Sequence, residues 1–202
     1  MKKSVHQSPD FLLSSLIDDI LINDSINQHL TWIKTAEMLP KTKGLYILVM
    51  YLADEVCVTV GKLGDFTLSS GFYFYVGSAR GAGGIASRVG RHWRNDAQKA
   101  KRWHIDYIRE PMQMLGCWVL SDQENQELMA ECRLAQLLKG KLNDNKLSQV
   151  KVLPNKALQS KQLGADISAD TNTAITSNPL LGIGSSDCRC SSHVFYLNAI
   201  FI

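Results

Sequence analysis

The pattern of apolar and polar positions predicts several short strands in the middle of the chain. Residues 45–52, 72–76 and 113–120 are nearly continuous runs of β-branched, aromatic and other apolar residues, which predict buried strands. Residues 56–60 alternate apolar with small residues after a short polar turn, so we predict a hairpin with residues 45–52. Residues 62–70 are predicted to be a connection.

Apolar residues at helical spacing predict helices before and after these strands. The predicted helices cover residues 9–23, 85–95, 103–109 and 122–139. Ser121, with Glu124 three residues later, fits a capping box for the last helix, and Gly140 is its expected end. A closing strand is predicted within residues 193–202. Strands and helices in this mixture predict an α+β fold.

The chain is predicted to be one domain with an N-terminal helical extension. Residues 1–40 hold the first helix and a short turn at residues 35–39, and we expect them to pack on a domain of residues 41–202. Residues 141–178 are polar and show little periodicity, so we predict that they are an insertion that is either a surface excursion or partly disordered.

We expect a cytoplasmic protein without a membrane partner, because the sequence shows neither a transmembrane segment nor a signal peptide and because its cysteines do not suggest disulfides. The longest apolar run, residues 45–53, is shorter than the about 20 residues of a transmembrane helix. The basic residues near the start are not followed by a signal-peptide core. Five cysteines are an odd count in a chain of this type, so a disulfide framework is not expected.

The cysteines themselves fall into two groups. Cys57, Cys117 and Cys132 lie in apolar stretches and are predicted to be core residues. Cys188 and Cys190, with His193 nearby, could bind a metal, but they supply three ligands at a spacing that is unusual for zinc. Alternatively, the Ser-Ser-Asp turn that precedes them closes a pocket with its hydroxyl and amide groups.

The distribution of charge along the chain is more informative than the net charge of +3. Between Gly77 and Glu110, eight Lys and Arg residues stand against three Asp and Glu residues. Such a local surplus favours a polyanionic partner. The alternative is a solvated helix face.

Five residues are candidates for chemistry. Tyr46 and Tyr75 each lie near a glycine at the end of an apolar strand, although strand tyrosines are commonly core residues. Arg88 and His92 are four residues apart, on one face of a predicted helix, where they suit a phosphate or form an ordinary surface pair. Glu131 lies in a largely apolar helix and is either a ligand for a hard cation or an exposed glutamate paired with a basic residue.

Two further motifs carry weaker signals. Residues 81–86 fit the glycine pattern of a dinucleotide-binding loop, but no second βαβ unit follows. A nucleotide-binding enzyme would need a parallel sheet. His104 and Asp106 are two residues apart and do not share a helix face, so they are not expected to form a dyad. His104 is interpreted as structural or as a contact to backbone or phosphate.

Six short motifs occur in order along most of the chain. They are G-L-Y at 44–46, Y-V-G-S-A at 75–79, R-V-G-R-H at 88–92, W-H-I-D-Y at 103–107, E-C-R-L-A at 131–135 and G-S-S-D-C-R-C-S-S-H at 184–193. Together they resemble the GIY-YIG nuclease superfamily, and in particular its DUF123 branch. Leu45 and Val76 replace the isoleucines of the family name. The two tyrosines are also 29 residues apart, because residues 56–72 intervene.

This resemblance implies a three-stranded antiparallel sheet flanked by helices and hydrolysis of phosphodiester bonds with one Mg²⁺ or Mn²⁺ ion. It implies that Tyr46 helps to deprotonate the attacking water, either with a lowered pKa or by passing the proton onward to the metal hydroxide. Tyr75 would position water and phosphate, Arg88 would stabilise the transition state, and His92 would support proton transfer or orient Tyr46. Glu131 would hold the metal ion.

Nucleic acid, with DNA expected, is the implied partner. The expected contacts to it are Ser78, Arg80, Arg91, Arg94, Lys101, Arg102 and His104. Asp187 could be specific to this branch, as a metal-site residue or a neighbour of one. The function expected from the whole pattern is a DNA endonuclease, with a role in repair or recombination. The alternative is a nucleic-acid-binding module of the same fold that lacks useful turnover.

Overall fold

The centre of the computed structural model is a five-stranded antiparallel sheet, and the structure describes residues 30–94, 100–121, 131–144 and 192–197. In these residues the fold is of the α+β class. The strands are β1 Thr31–Ile33, β2 Gly44–Leu52, β3 Val56–Thr59, β4 Asp65–Leu68, β5 Gly71–Ala79, β6 Gln113–Ser121 and β7 Val194–Leu197. The helices are α1 Gly84–Trp93, α2 His104–Arg109 and α3 Glu131–Asp144, with single 3₁₀ turns at Ala36–Met38 and Gly61–Leu63.

The strand order of the main sheet is β1-β6-β2-β5-β7. Strands β2 and β5 pair along their full length, from Gly44 opposite Ala79 to Leu52 opposite Gly71. Strand β6 pairs with the other edge of β2. The resemblance implied three strands, and the two additional strands, β1 and β7, cover the outer edges of β6 and β5.

The predicted hairpin between β2 and β3 is wrong. Strand β3 pairs with β4 in a separate two-stranded sheet, and β4 lies in the segment that was predicted to be a connection. The physical reason is length and burial. Strand β5 offers β2 nine partners and is almost entirely buried, whereas β3 has four residues that are at least partly exposed.

Alternate residues of β2 point to opposite sides of the sheet. Leu45, Ile47 and Val49 pack with the apolar side chains of helix α3, on what we call the α3 face. Tyr46, Leu48 and Met50 point to the opposite side and pack with helices α1 and α2, on the α1–α2 face. Both faces of the central strands are therefore buried.

Helix α1 is fastened to the chain that leads into β2. The backbone N–H of Ile85 donates to the carbonyl of Thr42 at 2.9 Å, and that of Ala86 donates to the carbonyl of Pro40 at 2.8 Å. Gly84 has a φ of +54°, and a Cβ at this position would be 2.2 Å from the Thr42 carbonyl oxygen. Only glycine therefore permits this close approach.

The C-terminal end of helix α3 differs from the prediction, and its predicted start lies outside the described residues. Ser121 is the last residue of β6, and residues 122–130 lie outside the described residues. The helix does not end at Gly140 but continues to Asp144, so the first residues of the predicted insertion are helical. Leu142 is buried on the α3 face, and its burial offsets the about 1 kcal/mol that a glycine costs inside a helix.

The N-terminal prediction is only partly within the described residues. The predicted helix at residues 9–23 lies outside them. The predicted turn near residues 35–39 is present as the 3₁₀ turn Ala36–Met38, and strand β1 just before it was not predicted. Trp32 of β1 lies over Gly116 of β6, where a Cβ would be 2.3 Å from the Trp32 ring. This strand is thus part of the main sheet.

Candidate active site

Tyr46 lies at the centre of the α1–α2 face because its partner across the sheet has no side chain. Tyr46 on β2 is opposite Gly77 on β5. A Cβ at Gly77 would be 2.4 Å from the Tyr46 hydroxyl oxygen and 2.5 Å from Cζ. The glycine that follows Tyr75 and Val76 in the sequence thus makes room for the tyrosine ring of the neighbouring strand.

His92 on helix α1 contacts the Tyr46 hydroxyl. The Tyr46 oxygen and His92 Nε2 are 3.1 Å apart, and the two side chains are almost completely buried. Val89 is one turn and Ile85 two turns before His92, and both are buried in the same core, so the helix stripe orients the imidazole inward. This hydrogen bond lets a proton pass between the phenol and the imidazole.

Tyr75 completes a cluster of three rings. Its ring centroid is 6.1 Å from that of Tyr46 and 5.9 Å from that of His92. Burial raises the pKa of the Tyr75 hydroxyl, and the nearby Glu131 carboxylate raises it further. Tyr75 is therefore a neutral hydroxyl at neutral pH, able to donate and accept hydrogen bonds.

Burial also raises the pKa of Tyr46 well above its usual value, and the neighbouring Tyr75 adds to the increase. The positive charge of Arg88 acts in the opposite direction but does not outweigh these effects. Of the two routes that the resemblance implies, a raised pKa favours the one in which Tyr46 passes its proton onward. In the described residues, the group that contacts the Tyr46 hydroxyl is His92.

Arg88 lies between the tyrosines and an aromatic ring. Its guanidinium carbon is 3.8 Å from the centroid of the Trp103 ring, a distance typical of a cation–π contact. Its positive charge lowers the pKa of Tyr46 and Tyr75 and acts on Glu131 as well. The Arg88 Nε atom is buried and makes no hydrogen bond within the described residues. An anion that accepted this donor would satisfy it.

Glu131, the first described residue of α3, contacts side chains from two other segments. His193, just before β7, places its Nδ1 atom 2.7 Å from Glu131 Oε1, and Ser78 on β5 also makes a hydrogen bond to Glu131. Burial by itself raises the pKa of Glu131, but these hydrogen bonds and the charges of His193 and Arg88 outweigh burial, so the pKa is lowered. Glu131 is therefore a carboxylate at neutral pH.

The donor atoms near Glu131 fit one kind of metal ion. In the stretches that the structure describes, no group of three or more His, Cys, Asp or Glu side chains is arranged to hold a metal. A zinc site of several protein ligands is therefore not formed by them. One ionised carboxylate, 26% exposed, suits Mg²⁺ or Mn²⁺, because such ions keep most of their waters and take oxygens from phosphate.

Asp106 on α2 is a charged residue that the sequence analysis did not assign to the site. The Arg91 guanidinium donates hydrogen bonds to both carboxylate oxygens of Asp106, at 2.9 to 3.1 Å. The backbone N–H groups of Arg102 and Trp103 also donate to this carboxylate. Its Oδ1 atom is 3.7 Å from His92 Nδ1. The positive charge of Arg91 is thus shared with an internal carboxylate.

The other residues expected to contact nucleic acid lie in different environments. Arg80, Arg94 and Arg102 are exposed, and His104 is half-buried. Lys101 is exposed but forms an ion pair with Glu110. Three arginines of the expected set therefore have exposed side chains: Arg80 before α1, Arg94 just after it and Arg102 before α2.

Of the three cysteines that were predicted to be core residues, only Cys117 is buried. Cys117 is buried as predicted, and burial raises the pKa of its thiol to about 12. Cys57 is exposed, because β3 belongs to the small outer sheet, and Cys132 is half-buried. Cys188, Cys190 and Asp187 lie outside the described residues.

The dinucleotide-binding alternative is not supported by this geometry. All pairs of strands in the described part of the sheets are antiparallel. At the start of α1, the Ile85 and Ala86 amides, which would face a pyrophosphate, donate to backbone carbonyls instead.

Five residues from four elements, Tyr46, Tyr75, Arg88, His92 and Glu131, are thus brought together, and three partners were missed. Trp103, Asp106 and His193 contact members of this set. Trp103 and Asp106 stand in the W-H-I-D-Y motif, whose occurrence was the available signal. His193 was considered in the sequence analysis as one of three metal ligands at a spacing unusual for zinc, and its contact with Glu131 had no local sequence signal.

Comparison with models of protein families assigns the chain to one family. The sequence model of the family described as "Domain of unknown function DUF123" matches residues 45–150, more than half of the chain. The chain belongs to the DUF123 family. Comparison with curated proteins and with solved structures gave no match. Within the described residues, no helix has the length and apolar character needed to cross a membrane.

Proposed function

We propose that this protein is a divalent-metal-dependent endonuclease that hydrolyses phosphodiester bonds in DNA, and that it is a distant member of the GIY-YIG superfamily. The observation that supports the proposal is the meeting of Tyr46, Tyr75, Arg88, His92 and Glu131 at one end of the β2–β5 pair. Tyrosine, imidazole, guanidinium and carboxylate groups in one place provide the proton transfer and charge stabilisation that phosphodiester hydrolysis needs.

Activation of water would run through Tyr46. The Tyr46 oxygen accepts a proton from water while its own proton passes to His92 Nε2, which is 3.1 Å away. The elevated pKa of Tyr46 makes this concerted transfer more favourable than a free tyrosinate. Tyr75, whose hydroxyl is neutral for the same reason, would orient the water and a phosphate oxygen by hydrogen bonding.

Arg88 and Glu131 would act on the phosphate. Arg88 offers a buried Nε donor, and its stacking on Trp103 fixes the guanidinium in place for the pentacovalent phosphate. Glu131 would hold Mg²⁺ or Mn²⁺, which when bound would neutralise charge on the phosphate and the leaving oxygen. Ser78 and His193 would keep the Glu131 carboxylate ionised and oriented.

Exposed arginines would bind the nucleic-acid backbone. Arg80 follows β5, Arg94 follows α1, and Arg102 precedes α2, so the three come from segments that lead into or out of the site. Contacts of this kind release counterions, and the affinity should fall as salt concentration rises.

The test is cleavage of labelled linear, flapped and branched DNAs, with an RNA of the same sequence, in Mg²⁺, Mn²⁺ or EDTA. We expect cleavage that requires the metal ion and is lost in Tyr46→Phe and in Glu131→Gln. Tyr51→Phe is the matched control for the tyrosine, because Tyr51 is on the same strand but packs on the α3 face. Glu37→Gln changes an exposed glutamate in the first 3₁₀ turn and is the control for the carboxylate.

A second readout does not depend on activity. Binding of Mn²⁺ by the protein, measured by its electron paramagnetic resonance signal, should be weakened in Glu131→Gln and unchanged in Glu37→Gln. Wild-type protein that binds DNA in a salt-sensitive way without cutting any substrate would reject the enzyme and favour a nucleic-acid-binding module.

A further inference from the structure

Three buried side chains lie in a row on the α1–α2 face. The Tyr46 hydroxyl is 3.1 Å from His92 Nε2, and His92 Nδ1 is 3.7 Å from Asp106 Oδ1. The side chain of His92 is 1% exposed and that of Asp106 is fully buried. The two nitrogens of one imidazole thus face a phenol on one side and a carboxylate on the other.

We propose that Asp106 is a positioning residue that fixes the tautomer of His92, so that Nε2 is free to accept the Tyr46 proton. The inference rests on the proposed function for its catalytic consequence but not for its structural content. It assigns to the fourth motif, W-H-I-D-Y, a part in the chemistry that the other motifs supply.

The Asp106 carboxylate is held in place by hydrogen-bond donors from two segments. Arg91 contacts both carboxylate oxygens, and two backbone N–H groups, of Arg102 and Trp103, donate to Oδ2. Four donors on one buried carboxylate fix its position and favour its ionised form. An ionised carboxylate accepts hydrogen bonds and does not donate them.

The position of this carboxylate influences which nitrogen of the His92 imidazole carries the hydrogen. A neutral histidine carries its hydrogen on one ring nitrogen and a lone pair on the other. Asp106 Oδ1 opposite Nδ1 favours the hydrogen on Nδ1, which leaves the lone pair on Nε2. Tyr46, which burial keeps protonated, then donates its O–H to that lone pair. At 3.7 Å the carboxylate acts by its charge, and it would form a hydrogen bond if the two atoms approached to about 3 Å.

The proton balance of the step is complete. Water loses a proton to the Tyr46 oxygen and becomes the hydroxide that attacks phosphorus. The original Tyr46 proton leaves its oxygen and forms the Nε2–H bond of His92, which becomes an imidazolium. The Asp106 carboxylate faces this new cation, and the imidazolium later releases the proton to solvent or to the leaving oxygen.

A purely structural role for Asp106 is the competing explanation. The pair with Arg91 and the contacts to the start of α2 would stabilise the fold whichever nitrogen of His92 carried the hydrogen. The two explanations differ in the state of His92 and therefore in its nuclear magnetic resonance spectrum.

The experiment is ¹⁵N spectroscopy of histidine-labelled protein, with the His92 signals assigned by their loss in His92→Gln. In the neutral wild-type protein we expect a protonated Nδ1 and an unprotonated Nε2. In Asp106→Asn the amide can donate as well as accept, so we expect a shift towards the other tautomer. In Arg91→Lys, which keeps the carboxylate opposite His92, we expect the wild-type tautomer.

Several outcomes would overturn the inference. A hydrogen on Nε2 of His92 in the wild-type protein would overturn it, and this result does not depend on whether Asp106→Asn folds. Equal changes in Asp106→Asn and Arg91→Lys would assign Asp106 to the fold alone. If the wild type cleaves DNA, Asp106→Asn should lower kcat by about 10²-fold or more at nearly constant KM. If the wild type does not cleave, the proposed function fails, and the His92 spectrum still decides the inference.

Discussion

On the α3 face, alternate residues of β2 and β5 pack against apolar side chains of helix α3, whereas on the α1–α2 face the same strands present tyrosines to histidine, arginine and aspartate. One residue of shift along β2 separates Tyr46 from Ile47 and moves the side chain from one environment to the other. The comparison shows how a single buried strand can supply both the stability of the fold and the groups of its site.

The largest effect is expected from a change on the α3 face. Ile47→Ala removes a buried side chain that is 1% exposed, and we expect a loss of about 2–5 kcal/mol in the free energy of unfolding. Urea denaturation measures this loss. If the folded fraction of this variant also lost the Tyr46–His92 hydrogen bond, the separation of roles between the two faces would be contradicted, since Ile47 points away from that pair.

A smaller loss of stability is expected from Gly77→Ala, because the added methyl group must displace the Tyr46 ring. Overpacking of this kind costs about 1–3 kcal/mol. Cleavage should be lost as well, because the Tyr46 hydroxyl moves from its place beside His92. Gly81→Ala is the matched control, since a Cβ at Gly81 would meet no atom within 4 Å. Equal stability of the two variants, from denaturation curves, would contradict the packing argument.

Tyr46→Phe separates stability from chemistry. The ring stays in its space, but His92 Nε2 loses its hydrogen-bond partner, which costs about 1 kcal/mol. Thermal denaturation should therefore shift little, while DNA cleavage falls to background. A variant that retained wild-type cleavage would remove Tyr46 from the mechanism, whatever its stability.

The smallest effect is a dependence of stability on alkaline pH that belongs to the α1–α2 face. Burial raises the pKa of Tyr46, Tyr73, Tyr75 and Tyr196, all of which lie on this face. A pKa above the unfolded value of about 10 means that stability is complete below that pH and decreases as pH rises towards the folded pKa. Tyr46, Tyr73 and Tyr75, whose pKa values in the folded chain lie far above 10, then each contribute a loss of about 0.4 kcal/mol at pH 10.

Tyr75→Phe tests this dependence. Urea denaturation at pH 8 and at pH 10 should show a smaller difference for the variant than for the wild type. Tyr51→Phe, on the α3 face, is the control. A larger pH difference in the Tyr75 variant would reverse the sign of the argument.

Much of the secondary structure could be predicted, because the apolar runs of β2, β5 and β6 and the helical stripe of α1 are local signals. The pairing could not. Nothing local distinguishes β3 from β5 as the partner of β2, since the choice depends on how much surface each partner buries. The end of α3 was misplaced for a related reason, because the burial of Leu142 is a tertiary effect that outweighs the local preference of Gly140.

The candidate site residues likewise divide into those that local motifs indicate and those that only the folded chain reveals. Tyr46, Tyr75, Arg88, His92 and Glu131 were named from motifs, and their positions in the fold bring them together. Asp106 was considered only as a possible dyad partner of His104, two residues before it, and that dyad was not expected. The structure shows that Arg91 and His92, on another helix, lie beside its carboxylate. The raised pKa of Tyr46 could not be predicted either, because it follows from burial that only the folded chain creates.

The attachment of α1 to the segment before β2 has a consequence for the entropy of binding. Thr42 and Pro40 hold the start of the helix that carries Arg88 and His92, and two residues after Thr42 the chain enters the strand that carries Tyr46. The conformational freedom of these groups is therefore lost when the chain folds rather than when a ligand arrives. A ligand that meets the site finds its partners already in place, and its own loss of motion becomes the principal entropic cost of association.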